Sequence, residues 1–168
     1  MAQFTFKNLT QEVRHEMLNE LISDIEDKKT YLSNRLTEAG KEIFVDALKN
    51  SIQSGDELTF EEAIANYFEP NEVVQGKSKK VPANAAQLLS QGEFNRYYIR
   101  GICLVALQKK LEEVEIYRAR ESSWSRPESE AKIGSKLNAT LLLEDIRNNI
   151  GKQPEYLPEV NSGLSVFI

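Results

Sequence analysis

One polar segment of the sequence combines residue types that bind anions with a large aromatic ring. Residues 118–129 contain Arg118, Arg120, Trp124, Arg126 and four serines. Arginine can form paired hydrogen bonds to a carboxylate or a phosphate, and tryptophan is a common anchor in protein interfaces. The segment therefore predicts a loop that binds an anionic ligand or a protein partner. An alternative interpretation is a structural loop, held by Arg–Glu pairs, in which Trp124 covers the core.

Two other segments predict contact with nucleic acid. The first is a flexible basic patch that consists of Lys77, Lys79 and Lys80. The second, residues 85–91 and 93–110 with a turn at Gly92, has the outline of a helix-turn-helix. The side chains that would face the bases are Asn95, Arg96 and Arg100. Against this function, residues 102–107 are all apolar, and packing of this helix in the protein core is the stronger explanation.

A third pattern is compatible with metal-dependent hydrolysis. Glu130 and Lys132 have the acid-x-lysine spacing in which a carboxylate holds Mg²⁺ and a lysine supports the attacking water. Glu115, on a predicted strand, would supply the second acid. Such triplets are common by chance, and the alternative interpretation is an exposed pair on a helix. A metal-dependent nuclease or hydrolase is therefore the second alternative function.

The sequence lacks most short signatures of catalysis and of cofactor binding. It contains no P-loop, no Gly-x-Gly-x-x-Gly, no His-Glu-x-x-His and no Gly-x-Ser-x-Gly motif. His15, the single histidine, is predicted to be a solvated helix residue, and Cys103, the single cysteine, a small buried hydrophobe. One of each cannot form a structural zinc site. We therefore expect no cofactor and no metal.

Composition and net charge narrow the class of protein. The chain has 168 residues, of which 40 % are hydrophobic and 28 % charged, and its net charge is −5. These values are typical of a globular protein and exclude a uniformly basic nucleic-acid protein. The N-terminus has no signal-peptide pattern, and the apolar run 102–107 is too short to cross a bilayer. The sequence predicts a cytoplasmic protein without a membrane partner.

The charge is distributed unevenly along the chain. Residues 1–75 carry 7 basic and 15 acidic side chains, whereas residues 76–168 carry 14 basic and 11 acidic ones. Pro70, Gly76 and the lysine run coincide with this change. We therefore predict an acidic helical arm or subdomain at 1–68, a linker at 69–83 and a compact α+β part at 84–168.

Three helices are predicted in the N-terminal part. Thr10 is a plausible N-cap for a first helix, whose apolar spacing continues through Leu36 to a stop at Gly40. A second helix ends near Gly55. The third begins at Thr59, where the sequence has the spacing of a capping box.

The C-terminal part is predicted to surround a buried central helix with a small sheet. Gly101 in that helix would permit another backbone to approach closely. Residues 114–120 alternate like a strand, and the apolar tail 164–168 is expected to pair with them. Another helix starts at Asn138 or Thr140. The fold class is therefore α+β and mainly α.

The function predicted from these features is that of a non-enzymatic interaction or assembly subunit of a larger complex. The partner-binding residues are predicted to be Arg118, Arg120, Trp124 and Arg126. Opposite charge on the two parts of the chain could steer docking on a protein partner or on a second copy of the chain. An enzymatic role is the less favoured interpretation.

Overall fold

The structure, a computed structural model, describes residues 3–122, 124–159 and 162–168. The helices in these ranges are α1 (Gln11–Glu26), α2 (Glu38–Ser54), α3 (Glu57–Ile64), α4 (Ala85–Gln108), α5 (Pro127–Glu130) and α6 (Ala139–Asn148). The strands are β1 (Asn71–Val74), β2 (Lys77–Lys80), β3 (Glu113–Arg118), β4 (Lys136–Asn138) and β5 (Leu164–Phe167). The fold class is α+β and mainly α, as the sequence predicts.

The first helix begins as predicted but ends earlier. The Thr10 hydroxyl accepts a hydrogen bond from the backbone N–H of Val13 at 3.2 Å, and α1 ends at Glu26. The predicted continuation to Gly40 is wrong. Instead, Thr37 caps a new helix, and its hydroxyl accepts from the N–H of Gly40 at 3.0 Å. Apolar spacing alone missed this second cap.

The third helix begins before the predicted capping box. Its N-cap is Asp56, whose Oδ1 accepts from the backbone N–H of Thr59 at 2.9 Å and from the Thr59 hydroxyl at 3.0 Å. The start predicted at Thr59 is therefore wrong, because the residue that caps the helix, Asp56, lies three residues upstream. The end of α2 agrees with the sequence, since Gly55 is its C-cap.

The predicted linker contains a β-hairpin. β1 and β2 pair antiparallel, with Asn71 opposite Lys80 and Val74 opposite Lys77. The connecting residues Gln75 and Gly76 have φ values of 52° and 75°. Positive φ angles at both central residues are typical of a type I′ turn, whose twist matches that of the two strands. The division of the chain into separate parts stays a prediction, although helices from both sides of the hairpin share one core.

The central helix α4 is buried on nearly all sides. It packs against α1, α3 and α6, and its largest fully buried side chains are Phe94, Tyr98, Ile99 and Ile102. The predicted burial is confirmed. The predicted break at Gly92 is wrong, because one continuous helix runs from Ala85 to Gln108. A helix-turn-helix is thus absent from this segment.

A three-stranded antiparallel sheet lies beside α4. The strand order is β4-β3-β5, and Ile116 of β3 is opposite Val166 of β5. The predicted pairing of the C-terminal tail is therefore confirmed, and it occurs within the chain. Asn138 caps α6 through its side chain, which accepts from the N–H of Leu141 at 3.0 Å.

Gly101 lies where α1 and α4 approach most closely, and its substitution gives a stability prediction. A Cβ atom at Gly101 would lie 2.8 Å from Met17 Cγ and 3.0 Å from the carbonyl oxygen of Val13. We expect Gly101→Ala to lower the free energy of unfolding by roughly 1–3 kcal/mol in a urea titration, because one helix must move. Helix propensity alone would raise it by up to about 1 kcal/mol. A more stable variant would therefore contradict the close approach.

Candidate functional site

The four predicted partner-binding residues line one cleft. Arg118, Arg120, Trp124 and Arg126 surround a volume of about 190 Å³, together with Ser122, Ser125, Ser129, Pro158, Glu159 and Ser162. We call it the Arg/Trp cleft. Arg118 ends β3, and Arg126 is the N-cap residue of the short helix α5. A strand end and a helix start thus position two of the three arginines.

Arg118 holds the loop of the Arg/Trp cleft in place. Its guanidinium donates to the Ser125 hydroxyl at 2.8 Å and to the Glu130 carboxylate, which also accepts from Ser125. These hydrogen bonds, from Ser125 first and then from Arg118, lower the pKa of Glu130. One element of the structural interpretation, an Arg–Glu pair that holds the loop, is therefore present.

Arg120 forms the buried wall of the cleft. Its guanidinium donates to the amide oxygen of Gln91 and lies over the ring of Phe4, 5.5 Å from the ring centroid. Burial, and then the charge of the nearby Arg118, lower the pKa of Arg120. The two guanidinium groups carry the same charge, although Arg118 is also paired with Glu130. The positive potential that results favours an anion in the cleft.

Trp124 and Arg126 face solvent. The Trp124 side chain is 83 % exposed, so it does not cover the core as the structural interpretation requires. Its backbone carbonyl accepts from the Ser122 hydroxyl at 2.8 Å. Arg126 is exposed and makes no ion pair within the described ranges. The cleft therefore offers a ring and a cation to a partner.

The structure does not bring the predicted nucleic-acid residues to one surface. The lysines lie on the fully exposed strand β2, whose side chains alternate between the two faces of the hairpin. The other three are buried in α4. Asn95 donates to the carbonyl of Leu164 at 3.0 Å and accepts from Ser165, while Arg96 and Arg100 bind acceptors within the protein. Their predicted orientation toward bases is wrong.

The buried arginine at position 100 belongs to an ion-pair network that sequence reasoning missed. Arg100 Nε donates to Glu20 at 2.8 Å, and its terminal nitrogens donate to Asp24 at 2.6 and 2.9 Å. Arg147 donates to Glu20 at 2.7 and 2.9 Å, and Tyr97 donates to Asp24 at 2.7 Å. The network connects α1, α4 and α6. The spacing of the two acids, one turn apart in α1, is the signal that could have indicated it.

Another buried acid, Glu93, lines a cleft of about 320 Å³. Its carboxyl accepts no hydrogen bond from the described residues; Arg96 Nε lies 3.5 Å away, which is longer than a normal N–H···O bond. The other Arg96 nitrogens donate to the carbonyls of Asn149, at 2.8 Å, and Lys152. Burial raises the pKa of Glu93 to about 7, although Arg96 and Arg100 lower it. We call this space the Glu93 cleft.

The residues of the metal-dependent alternative do not converge. Arg118, which binds Glu130, and Glu115 are three positions apart on β3, so their side chains lie on opposite faces of the strand. Within the described ranges, no three His, Cys, Asp or Glu side chains are grouped so that they could hold a metal ion. His15 is exposed on α1 and Cys103 is buried in α4, as predicted. Burial raises the pKa of the Cys103 thiol.

Comparisons with known proteins do not assign the chain to a family. No protein-family model matches the chain, and no characterised protein or solved structure is significantly similar to it. In the described part of the chain, no helix is long and apolar enough to cross a membrane. The two clefts are therefore the features of the molecule that bear on its function.

Proposed function

We propose that this protein is a non-enzymatic interaction subunit that binds an acidic segment of a partner protein in the Arg/Trp cleft. The observation that carries the proposal is the convergence of Arg118, Arg120, Trp124 and Arg126 on one cleft with the tryptophan ring exposed. Exposed tryptophan and arginine side chains are the types most enriched among residues that dominate binding energy in protein interfaces.

Charge complementarity supports an acidic occupant. Among the described residues, three arginines and one carboxylate, that of Glu159, line the cleft. Arg118 is paired with Glu130, whereas Arg126 makes no ion pair with a described residue.

The Ser122 and Ser125 hydroxyls already donate within the protein, so Ser129 and Ser162 are the lining serines whose hydroxyls can donate to carboxylate oxygens. A segment that presents Asp or Glu beside an apolar side chain would place its carboxylates on the arginines and its apolar group on Trp124. The net charge of −5 and the burial of the predicted base-facing residues make nucleic acid a poorer occupant.

The first test is a titration with a defined acidic probe. A fluorescein-labelled peptide of alternating glutamate and phenylalanine is expected to bind the wild-type protein, and raising NaCl from 50 to 500 mM should weaken binding because exposed charges are screened. The corresponding lysine–phenylalanine peptide should not bind. If neither peptide raises the fluorescence polarisation at millimolar protein, or a single-stranded oligonucleotide binds tighter than the acidic peptide, the proposal is wrong.

Substitutions in the cleft give the second prediction. Arg126→Glu and Trp124→Ala should each weaken peptide binding at least tenfold, while their unfolding free energy stays within about 0.5 kcal/mol of wild type because both side chains are exposed. Lys77→Glu is the matched control, since it makes the same charge change on the exposed strand β2. Equal losses in the control and in Arg126→Glu would show only a general charge effect.

Self-association is distinguished by light scattering. If the acidic segment belongs to a second copy of the chain, the wild-type protein will dimerise at low salt, and Arg126→Glu will be monomeric. This outcome supports the binding role of the cleft and identifies its occupant. A dimer that persists in Arg126→Glu would place the interface elsewhere and count against the proposal.

A further inference from the structure

The Glu93 cleft is a separate site, and its inference does not rest on the proposed function. It lies beside the first half of α4, between the loop that follows α1 and the turn that follows α6. Phe68, Leu88 and Leu89 give it an apolar wall. Its volume of about 320 Å³ is at the lower end of the range for small-molecule pockets. The cleft therefore suits one small ligand with an apolar group.

The Glu93 carboxyl is the polar group that such a ligand would have to satisfy. The residue is only 6 % exposed. Its carboxyl forms a long ion pair with Arg96, whose Nε lies 3.5 Å away, but it accepts no hydrogen bond from the described residues. An ion pair without a close hydrogen bond compensates a desolvated carboxylate only in part. Because Glu93 lines the cleft, a ligand can supply the missing donors, and an ammonium group supplies three of them together with a compensating charge.

The remaining charges of the cleft indicate what else the ligand carries. Arg35 is already bound to Glu72 through two hydrogen bonds, of 2.8 and 3.0 Å. Lys152, in contrast, is exposed and makes no ion pair within the described ranges. Two further charged residues line the cleft: Arg96 binds two backbone carbonyls and pairs with Glu93, and Glu159 is exposed. Glu93 is thus the buried acidic position, and Lys152 is the basic position without an ion pair. A ligand with one cationic and one anionic group would match both.

We propose that the Glu93 cleft binds a small α-amino acid with an apolar side chain. Its ammonium group would bind Glu93, its carboxylate would bind Lys152, and its side chain would pack against the apolar wall formed by Phe68, Leu88 and Leu89. This zwitterion leaves the net charge of the cleft unchanged, which an amine or a carboxylic acid alone does not.

The pH dependence of binding follows from the groups that surround Glu93. Arg96 and Arg100 on the same helix lower its pKa and Asp24 of α1 raises it, while burial is the largest influence and brings the pKa to about 7. Arg35, Lys152 and Glu159 line the rest of the cleft. The ammonium binds the ionised carboxylate, so affinity should rise with pH from 5.5 to 7.5, by up to about tenfold per pH unit well below pH 7.

Three probes and matched variants test the proposal by NMR titration of backbone amides. L-phenylalanine should shift amides around the cleft, and phenethylamine and 3-phenylpropionate, which lack the carboxylate and the ammonium respectively, should bind at least tenfold more weakly. Glu93→Gln should weaken L-phenylalanine binding at least tenfold, whereas Glu62→Gln, an exposed glutamate of α3, should not. Lys152→Ala should weaken L-phenylalanine binding but leave phenethylamine unchanged.

Three outcomes would contradict the proposal that the Glu93 cleft binds an amino acid. Absence of shifts at 20 mM L-phenylalanine would show that the cleft does not bind an apolar α-amino acid. Equal binding of L-phenylalanine and 3-phenylpropionate, or an unchanged affinity in Glu93→Gln, would exclude an ammonium contact with Glu93. Glu159 lines both clefts, but the residues substituted here do not line the Arg/Trp cleft, so failure here leaves the peptide titrations unaffected.

Discussion

Arg100→Leu is expected to lower the free energy of unfolding by roughly 3–5 kcal/mol at neutral pH. Arg100 is 3 % exposed and holds two buried carboxylates, Glu20 and Asp24. Leucine fills much of the space but leaves the Asp24 carboxylate, among the described residues, with only the hydrogen bond from Tyr97. An uncompensated charge in a low-dielectric interior, more than the lost ion pairs, causes the large effect. Urea unfolding, followed by circular dichroism, measures it.

Control variants separate this mechanism from simple loss of packing. In the Arg100→Leu background, Asp24→Asn should restore part of the lost stability, because it removes the charge that arginine neutralised. Arg147→Leu should cost less than Arg100→Leu, since Arg147 is 42 % exposed and Glu20 keeps its contact with Arg100. If Asp24→Asn destabilises Arg100→Leu further, buried charge is not the cause of the effect.

The contribution of the network to the free energy of unfolding should decrease as the pH falls. Burial would raise the pKa of Glu20, but the hydrogen bonds and charges of Arg147 and Arg100 outweigh it, and the pKa is lowered. A lowered pKa in the folded chain stabilises the protein above the ordinary pKa of glutamate, and this contribution is lost as the pH falls. The stability difference between wild type and Arg100→Leu should therefore shrink toward acidic pH.

The network also shows what local sequence patterns could not predict. Arg96 and Arg100 lie one turn apart, a spacing that fits a helix in a DNA groove as well as a helix that meets acids from another helix. The choice depends on which face of α4 meets α1, and this is set by tertiary packing around Gly101. Features indicated by a pattern within one segment could be predicted. A continuous apolar run indicates the burial of α4, and alternating residues indicate strand β3 and its pairing with the C-terminal tail.

The two clefts differ in how much the sequence revealed. The Arg/Trp cleft is built mostly from one continuous segment, so its residue types were visible together. The Glu93 cleft combines a loop near residue 31, the helix α4 and a turn near residue 152. No local pattern connects these segments. The hairpin was missed for another reason, because the pair Gln75 and Gly76 is a weaker turn signal than Asn-Gly.

Glu93→Gln should make the protein more stable above pH 7, by as much as about 3 kcal/mol. Burial raises the pKa of Glu93 from its ordinary value of 4.5 to about 7 in the folded chain. Between these values the folded chain binds more protons than the unfolded chain, so the free energy of unfolding falls as the pH rises. Glutamine has a similar shape and cannot ionise, so this loss should disappear.

The measurement compares urea unfolding of wild type, Glu93→Gln and the control Glu62→Gln at pH 4.5 and pH 8. Other glutamates with shifted pKa values contribute equally to all three, so the difference between wild type and Glu93→Gln isolates Glu93. The variants should be similar at pH 4.5 and should diverge by pH 8. A less stable Glu93→Gln at pH 8 would mean that the carboxylate is ionised and compensated by Arg96. Since the expected variant is folded and more stable, its loss of amino-acid binding would report on the carboxylate and not on unfolding.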